Sequence, residues 1–250
     1  MEKVLLITGA GRGIGAATAR LASRRGWAVA VNFVRDEASA QALVAAIAAD
    51  GGQAQAFQAD VADDAQVGGL FAAVDAHFGP GRLRGLVNNA GIVDRAQRVD
   101  AQTAERVRRL FEVNVFASFA CAREALRRMS TRHGGVGGSI VNVSSIAARL
   151  GAPGQYVDYA AAKAAIDTFT LGLAREVADE GGRVNAVRPG LIETDIHASG
   201  GQPARARELA PTVPMQRPGS AEEVAQAIVW LLGDEASYVT GALLDVTGGR

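Results

Sequence analysis

Seven short apolar runs punctuate the chain, KVLLIT, AVAVNF, QAQAFQ, LRGLVNNA, SIVNVSS, RVNAVRP and ALLDVTG, and longer stretches of helical character separate nearly all of them. A run that is apolar throughout suits a strand buried on both faces, and parallel neighbours need a crossover, which the intervening helices supply. The alternation predicts an α/β fold, a Rossmann-type doubly wound parallel β-sheet of about seven strands with helices on both faces and right-handed connections. Helices are expected over about residues 13–25, 37–50, 63–78, 102–132, 156–179 and 220–233. With 250 residues, 48% of them hydrophobic, and no linker, repeat or low-complexity tract, the expectation is one domain over 1–250. The stretch GLIETDIHASGGQPARARELAPTVPMQRPGS is long for a connection and reads as a lid or binding segment.

Charge narrows the partners. Lys plus Arg (26) balance Asp plus Glu (26), so no net field draws the chain to nucleic acid or an anionic membrane, and a small-molecule ligand is expected. The arginines of ERVRRL and REALRRMSTRH alternate with apolar residues, as on a solvated or subunit-contact helix face. No apolar run approaches the roughly 20 residues of a membrane span, and no signal-peptide pattern opens the chain, so a cytoplasmic location is expected. Cys121 is the sole cysteine, which rules out an internal disulfide and reads as a packing residue. His77, His133 and His197 lack metal-ligand spacing, so no metal is expected, and His197 reads as a solvated loop residue. No Gly-x-Ser-x-Gly elbow supports a serine hydrolase.

TGAGRGIG, residues 8–15, follows the first apolar run and opens the first helix. Two frames overlap there, Gly11-x-Gly13-x-x-Ala16 and Gly9-x-x-x-Gly13-x-Gly15. Glycines let a backbone approach a pyrophosphate, and a helix N-terminus offers free N–H groups and partial positive charge to it. The lack of a Gly-Lys-Ser/Thr ending disfavours a triphosphate loop. A dinucleotide should meet its second contact at the end of the next strand, where an acid would hold the ribose of NAD and an arginine would accommodate the phosphate of NADP. That end reads VNFVRDE: Asn32 and Phe33 close the strand, Arg35 follows, and Asp36 and Glu37 begin the next helix. Arg12 and Arg35 together favour NADP(H), with NAD(H) left possible.

Farther on, Tyr159 and Lys163 are four apart on an expected helix and share one face. Lys163 stands out, because Lys3 is the only other lysine beside 24 arginines. A unit positive charge about 4 Å from a phenol at an effective dielectric of ~20 favours the phenolate by about 4 kcal/mol. That is roughly three pKa units, enough to bring a tyrosine from ~10 to near neutrality. Such a hydroxyl could exchange a proton with a carbonyl or alcohol oxygen. Ser145 closes the strand of IVNVSS and could hydrogen-bond the same oxygen, with Ser144 as the second candidate. Tyr156 has Ala160 four residues on and no such partner.

Taken in order, TGAGRGIG, NNAG (88–91), FEVNVFASF around Asn114, Ser145, Tyr159 with Lys163, RPGLIET and TGALLDVTGG resemble the short-chain dehydrogenase/reductase family over essentially the whole chain. The resemblance implies Tyr159 as acid/base, Lys163 also gripping the nicotinamide ribose, Ser145 orienting substrate and Asn114 holding a water in a proton relay. It implies that Gly9, Gly13, Ile14 and Gly15 meet the phosphates, that Asp60 and Val61 meet the adenine, and that Asn88, Ala90 and Gly91 line the cofactor floor. Pro189, Gly190, Ile192 and Thr194 would wrap the nicotinamide end, and a homotetramer would form through the two long central helices. The commonest family spacing sets the serine 13 residues before the tyrosine, whereas Ser145 to Tyr159 is 14, so ARLGAPGQYVD carries one extra residue beside the substrate pocket.

The expected function is NADP(H)-dependent reduction of a carbonyl, or oxidation of the matching secondary alcohol, by hydride transfer. Two alternatives stand beside it, an NAD-linked sugar or polyol dehydrogenase and a non-catalytic dinucleotide sensor. Motif similarity to 3-oxoacyl-carrier-protein reductases and to sugar dehydrogenases is about equal, so the substrate is left open.

Overall fold

A computed structural model describes residues 3–194 and 200–250 of the protein. Strands β1 (Lys3–Ile7), β2 (Trp27–Phe33), β3 (Ala54–Gln58), β4 (Leu83–Asn88), β5 (Gly138–Val143), β6 (Gly182–Pro189) and β7 (Leu243–Val246) form one sheet in the order β3-β2-β1-β4-β5-β6-β7. Every neighbouring pair is parallel. The helices are α1 (Gly13–Arg24), α2 (Glu37–Ala49), α3 (Asp64–Phe78), α4 (Ala104–Phe111), α5 (Ala117–Met129), α6 (Ala147–Leu150), α7 (Val157–Glu176), α8 (Arg205–Glu208) and α9 (Ala221–Leu232).

Side-chain alternation splits the core in two. Leu5, Ile7, Val29 and Val31 point to the layer of α1, α2 and α9, where they meet Leu21, Leu43 and Ile228. Val4, Leu6, Ala28 and Ala30 point to the opposite layer and meet Phe71 of α3, Cys121 of α5 and Leu173 of α7. Covering both faces is what made the strands read as unbroken apolar runs. The Cys121 thiol is pushed up to about 12 by its burial, as suits a packing residue.

One expected element differs. The helix foreseen over 102–132 is interrupted between α4 and α5 by a π-helical turn, Glu112–Phe116, and α5 closes at Met129. Asn114 accounts for it: its side-chain amide donates to the Leu110 carbonyl at 2.9 Å, the acceptor that an α-helical ladder would give to the Asn114 backbone N–H. Because the strand order reverses at β1, a crevice opens between the carboxyl ends of β1 and β4, where a doubly wound sheet takes its ligand.

Candidate active site

The glycine turn is buttressed from two sides. Asn89 donates its side-chain amide to the carbonyls of Thr8 and Gly9 at 2.9 and 3.0 Å. The Thr8 hydroxyl accepts the N–H groups of Asn89 and Ala90, both at 3.0 Å. These bonds tie the end of β1 to the end of β4 across the crevice. Gly13 sits at φ 56°, left-handed territory, and the Thr194 methyl lies 3.6 Å from where its Cβ would stand. At Gly15 a Cβ would meet the Asn89 side-chain nitrogen at 2.7 Å and the Ala10 Cα at 2.9 Å.

Arg12 is the N-cap of α1, extended and without a side-chain cap, and the first turn holds no acid. The first-turn N–H groups of Gly13, Ile14 and Gly15 therefore face outward with neither a capping acceptor nor a repelling carboxylate. A narrow backbone cradle with open donors fits a dinucleotide pyrophosphate.

At the end of β2, Arg12 and Arg35 are exposed. Asp36 is committed to α2, accepting from the Ser39 backbone N–H at 3.0 Å and its hydroxyl at 2.6 Å. The Ser39 hydroxyl bond, with the Arg12 field as a lesser cause, holds the Asp36 carboxyl below its ordinary range.

Asn32 has a different place from the expected one. It is fully buried, accepts the Gly9 N–H at 3.2 Å and donates to the carbonyls of Phe57 and Ala59 at 3.3 and 3.0 Å. Its side chain braces the turn from behind instead of lining the crevice. Asp60 accepts the Ala62 N–H at 3.0 Å and the Arg109 guanidinium at 3.3 Å, and Val61 beside it is buried.

Asn88 also turns inward. It donates to Asn142 Oδ1 at 2.9 Å, Asn142 donates to the Thr170 hydroxyl at 2.8 Å, and Thr170 donates to the Ile166 carbonyl at 2.8 Å. This buried chain links β4, β5 and α7 beneath the site. On the crevice side, a Cβ on Gly91 would lie 2.8 Å from Asn114 Oδ1 and 3.5 Å from Lys163 Nζ, so these three residues meet. Asn114 grips the chain just beyond: its Oδ1 accepts the Ile92 N–H at 3.2 Å and its Nδ2 donates to the Ile92 carbonyl at 3.0 Å.

The two serines separate cleanly. Ser144 is buried and donates to the Lys163 carbonyl at 3.1 Å, a bond that docks α7 on β5. Ser145 accepts the Ala147 N–H at 3.1 Å, and its hydroxyl contact with Tyr159 favours the phenolate. Lys163 is buried, donates to the Val143 carbonyl at 2.8 Å and has its ammonium 5.6 Å from the Tyr159 ring centre.

The expectation of a near-neutral Tyr159 is overturned. Burial pushes the phenol up to about 12, with only the Ser145 contact pulling the other way. Burial likewise brings Lys163 down to about 8, opposed by the charge of Asp167 one turn on. Counting the pairwise charge alone omitted the larger effect, loss of solvation for both charged forms. Tyr156 instead donates to Gln202 at 3.2 Å and lies under the Arg205 guanidinium, 5.3 Å from its centre.

Pro189 ends β6 and its carbonyl accepts the Ile146 N–H at 3.0 Å, fastening the Ser145 loop to the following segment. Gly190 bonds to Val246, and Ile192 is buried and bridges to Gly219. The foreseen lid has a small apolar core of its own, with Leu191, Ala206 and Val213 buried and Leu209 against them. His197 lies outside the described residues.

Thr8 and Asn89, unremarked by the glycine pattern, are what make the turn rigid; the doubled asparagine at the end of a strand was the available signal. Arg106, within the ERVRRL stretch expected on a solvated or subunit-contact face, instead pairs with Asp158, and their side chains are 9% and 1% exposed.

Comparison with known proteins agrees with the geometry. A family profile described as enoyl-(acyl carrier protein) reductase matches residues 9–250. The uncharacterized oxidoreductase YgfF of Escherichia coli K12 is 54% identical over 247 residues, covering 99% of both chains. A 3-oxoacyl-[acyl-carrier-protein] reductase of Synechocystis is 38% identical over 248 residues, 99% of this chain and 96% of its own. The crystal structure of a dehydrogenase/reductase from Sinorhizobium meliloti 1021 superposes with a TM-score of 0.90 at 33% identity, covering 99% and 94% of the two chains.

Proposed function

The chain belongs to the short-chain dehydrogenase/reductase family, and from that premise we propose an NADP(H)-dependent enzyme that reduces the carbonyl of a small molecule, with Tyr159 as proton donor. The observation that carries this reading is a half-buried phenol with Ser145 against it and the buried Lys163 one turn along, at the carboxyl edge beside an open helix N-terminus. When bound, the nicotinamide supplies the hydride or, in the reverse direction, accepts it.

Tyr159, pushed up to about 12, keeps its proton at neutral pH and can give it to the carbonyl oxygen as negative charge develops there. Ser145 orients that oxygen with a second hydrogen bond. Lys163, at about 8, is mostly charged at neutral pH and steadies the phenolate left behind. Asn114 beside Gly91 is the natural end of a water relay that returns the proton. Reduction is the direction favoured by a phenol that starts protonated; alcohol oxidation needs the same group ionised and gains from higher pH.

The preference for NADP(H) rests on Arg12 and Arg35, exposed where the adenosine ribose would end, with Asp36 occupied by Ser39. Gly9, Ile14, Asp60, Val61, Ala90 and Thr194 complete the proposed cofactor cradle. Phe116 and Phe119 of the π turn and α5 are 61% and 48% exposed, and Phe119 stacks on Phe169 of α7 at 3.9 Å. Such a patch supports association of copies, in keeping with a homotetramer. Among the described residues, no helix is long and apolar enough to cross a membrane.

The test follows nicotinamide absorbance with NADPH or NADH against 3-oxoacyl thioesters, aldoses, steroids and diketones, with Tyr159→Phe alongside. NADPH-dependent turnover should fall by roughly 10²–10⁴ in the variant while NADPH still binds. Undiminished turnover would refute the proton donor, NADH preference would favour the NAD-linked reading, and binding without turnover would favour a sensor.

A further inference from the structure

Arg106 lies on α4, outside the glycine turn and the serine–tyrosine–lysine group, yet its guanidinium is enclosed. Its Nε donates to Asp158 Oδ2 at 2.7 Å and its Nη2 to Oδ1 at 3.4 Å, a two-point grip. Asp158 immediately precedes Tyr159, and its Oδ1 also accepts the Tyr159 backbone N–H at 2.9 Å. The third nitrogen, Nη1, donates to the Arg95 carbonyl at 2.7 Å and to Gln97 Oε1 at 3.2 Å. One planar group therefore bonds both the first turn of α7 and the loop that leaves Gly91.

That loop has little else to hold it. Residues 92–98 form no helix or strand. Asn114 fixes the near end at Ile92, and Gln97 N–H bonds to the Gln155 carbonyl at 2.9 Å at the far end. Between those ends, among the described residues, the ties to the rest of the molecule run to Arg106: the Arg95 carbonyl bond, with Asp94 4.0 Å away. Burying an ion pair is a poor way to gain stability, because desolvation offsets the attraction; the best-attested use of such a pair is to fix geometry. The planar fork matters for that use, since a lysine reaches a single point and cannot address a carboxylate and a carbonyl in one rigid plane.

We infer that Arg106 is a positioning residue that determines substrate selectivity: through Asp158 it sets the first turn that carries Tyr159, and through Arg95 and Gln97 it sets the facing loop, so the gap between them has one width. This rests on the function proposed above, since the gap matters as the place of a substrate carbonyl.

Arg106→Lys keeps the charge and loses the fork, and Asp158→Asn keeps the shape and loses the charge. Amide hydrogen exchange on the NADPH-saturated protein reads both ends of the clamp without a substrate. The Tyr159 and Gln97 amides should speed up together, by about tenfold, while core amides such as Leu86 and the NADPH affinity stay put. On thioesters of 3-oxobutanoate through 3-oxodecanoate, KM should rise and the preference between short and long acyl chains should flatten, with kcat changed far less. Exchange unchanged at either amide in both variants, or acceleration shared by the whole core, overturns the clamp. Failure of both variants to fold makes the pair structural and overturns it too. An unchanged acyl-chain preference with both amides loosened overturns the selectivity role. Full turnover in Tyr159→Phe, by contrast, would sink the proposed chemistry and leave the exchange result standing.

Discussion

Helices α1 and α9 pack on the same face of the sheet, and their N-termini are built in opposite ways. At α9 the Ser220 hydroxyl accepts the Glu223 N–H at 3.2 Å, and Glu223 accepts the Ser220 N–H at 2.8 Å, a reciprocal capping box. Arg217 adds bonds of 2.6 and 2.9 Å to the same carboxylate. Helices α2 and α3 are closed likewise by Asp36 and Asp63. The start of α1 has an arginine for a cap, a bare first turn and glycines around it. Beside α2, α3 and α9, closed by Asp36, Asp63 and Ser220, α1 has been left open to an anion, and the difference separates an end built for stability from one built for a ligand.

The largest effect that would break this contrast comes from filling the open end. Gly15→Val places its first side-chain carbon against Asn89 and the Ala10 backbone, and should abolish NADPH binding in a fluorescence titration and cost about 1–3 kcal/mol in stability. Next, Arg12→Ala with Arg35→Ala should weaken NADPH roughly 10–100-fold, at about 1.5–3 kcal/mol for hydrogen bonds to charged groups, and leave NADH unaltered; equal losses for both nucleotides would remove these arginines from the discrimination. At the closed end, Ser220→Ala should lower unfolding stability by about 1 kcal/mol with no change in NADPH affinity.

The smallest effect is acid sensitivity. The Arg217 hydrogen bond, then the Ser220 N–H, hold the Glu223 carboxyl down to about 2, from an ordinary 4.5. Its contribution is present above about 4.5 and is lost as pH falls through about 2, so the first-turn amides of α9 should lose exchange protection over that window. Those at the start of α1 should not follow. Because Arg217 and Glu223 are exposed, solvent keeps the effect slight.

The sheet, its order of elements and the Tyr159–Lys163 pair could be read from the amino acids because each rests on a local pattern: unbroken apolar runs for strands covered on both faces, and four residues between partners on a helix. What could not be read depends on burial and on partners distant in sequence. The π turn arises from a bond between Asn114 and Leu110 and a grip on Ile92, and composition does not mark it. Asn32 and Asn88 sit at strand ends as expected, but whether an amide faces the crevice or the core depends on what packs behind it, here Ala59 and Asn142. Tyr159 and Lys163 stand together as the spacing put them, but the phenol shifts upward and not toward neutrality, because a neighbouring charge is visible in sequence and the loss of water is not. Arg106 looked like one more arginine on a charged helix until Asp158 closed over it.

The chain of amides beneath the site has a single polarity. Thr170 spends its one proton on the Ile166 carbonyl, so toward Asn142 it can only accept. Asn142 must then turn its nitrogen to Thr170, which leaves its oxygen for the nitrogen of Asn88. A main-chain carbonyl on the helix of Tyr159 thus dictates which way round two amides lie in β5 and β4. Aspartate at either position, though nearly the same shape, would set acceptor against acceptor. The orientation of the floor is in effect written from α7 outward, one proton at a time.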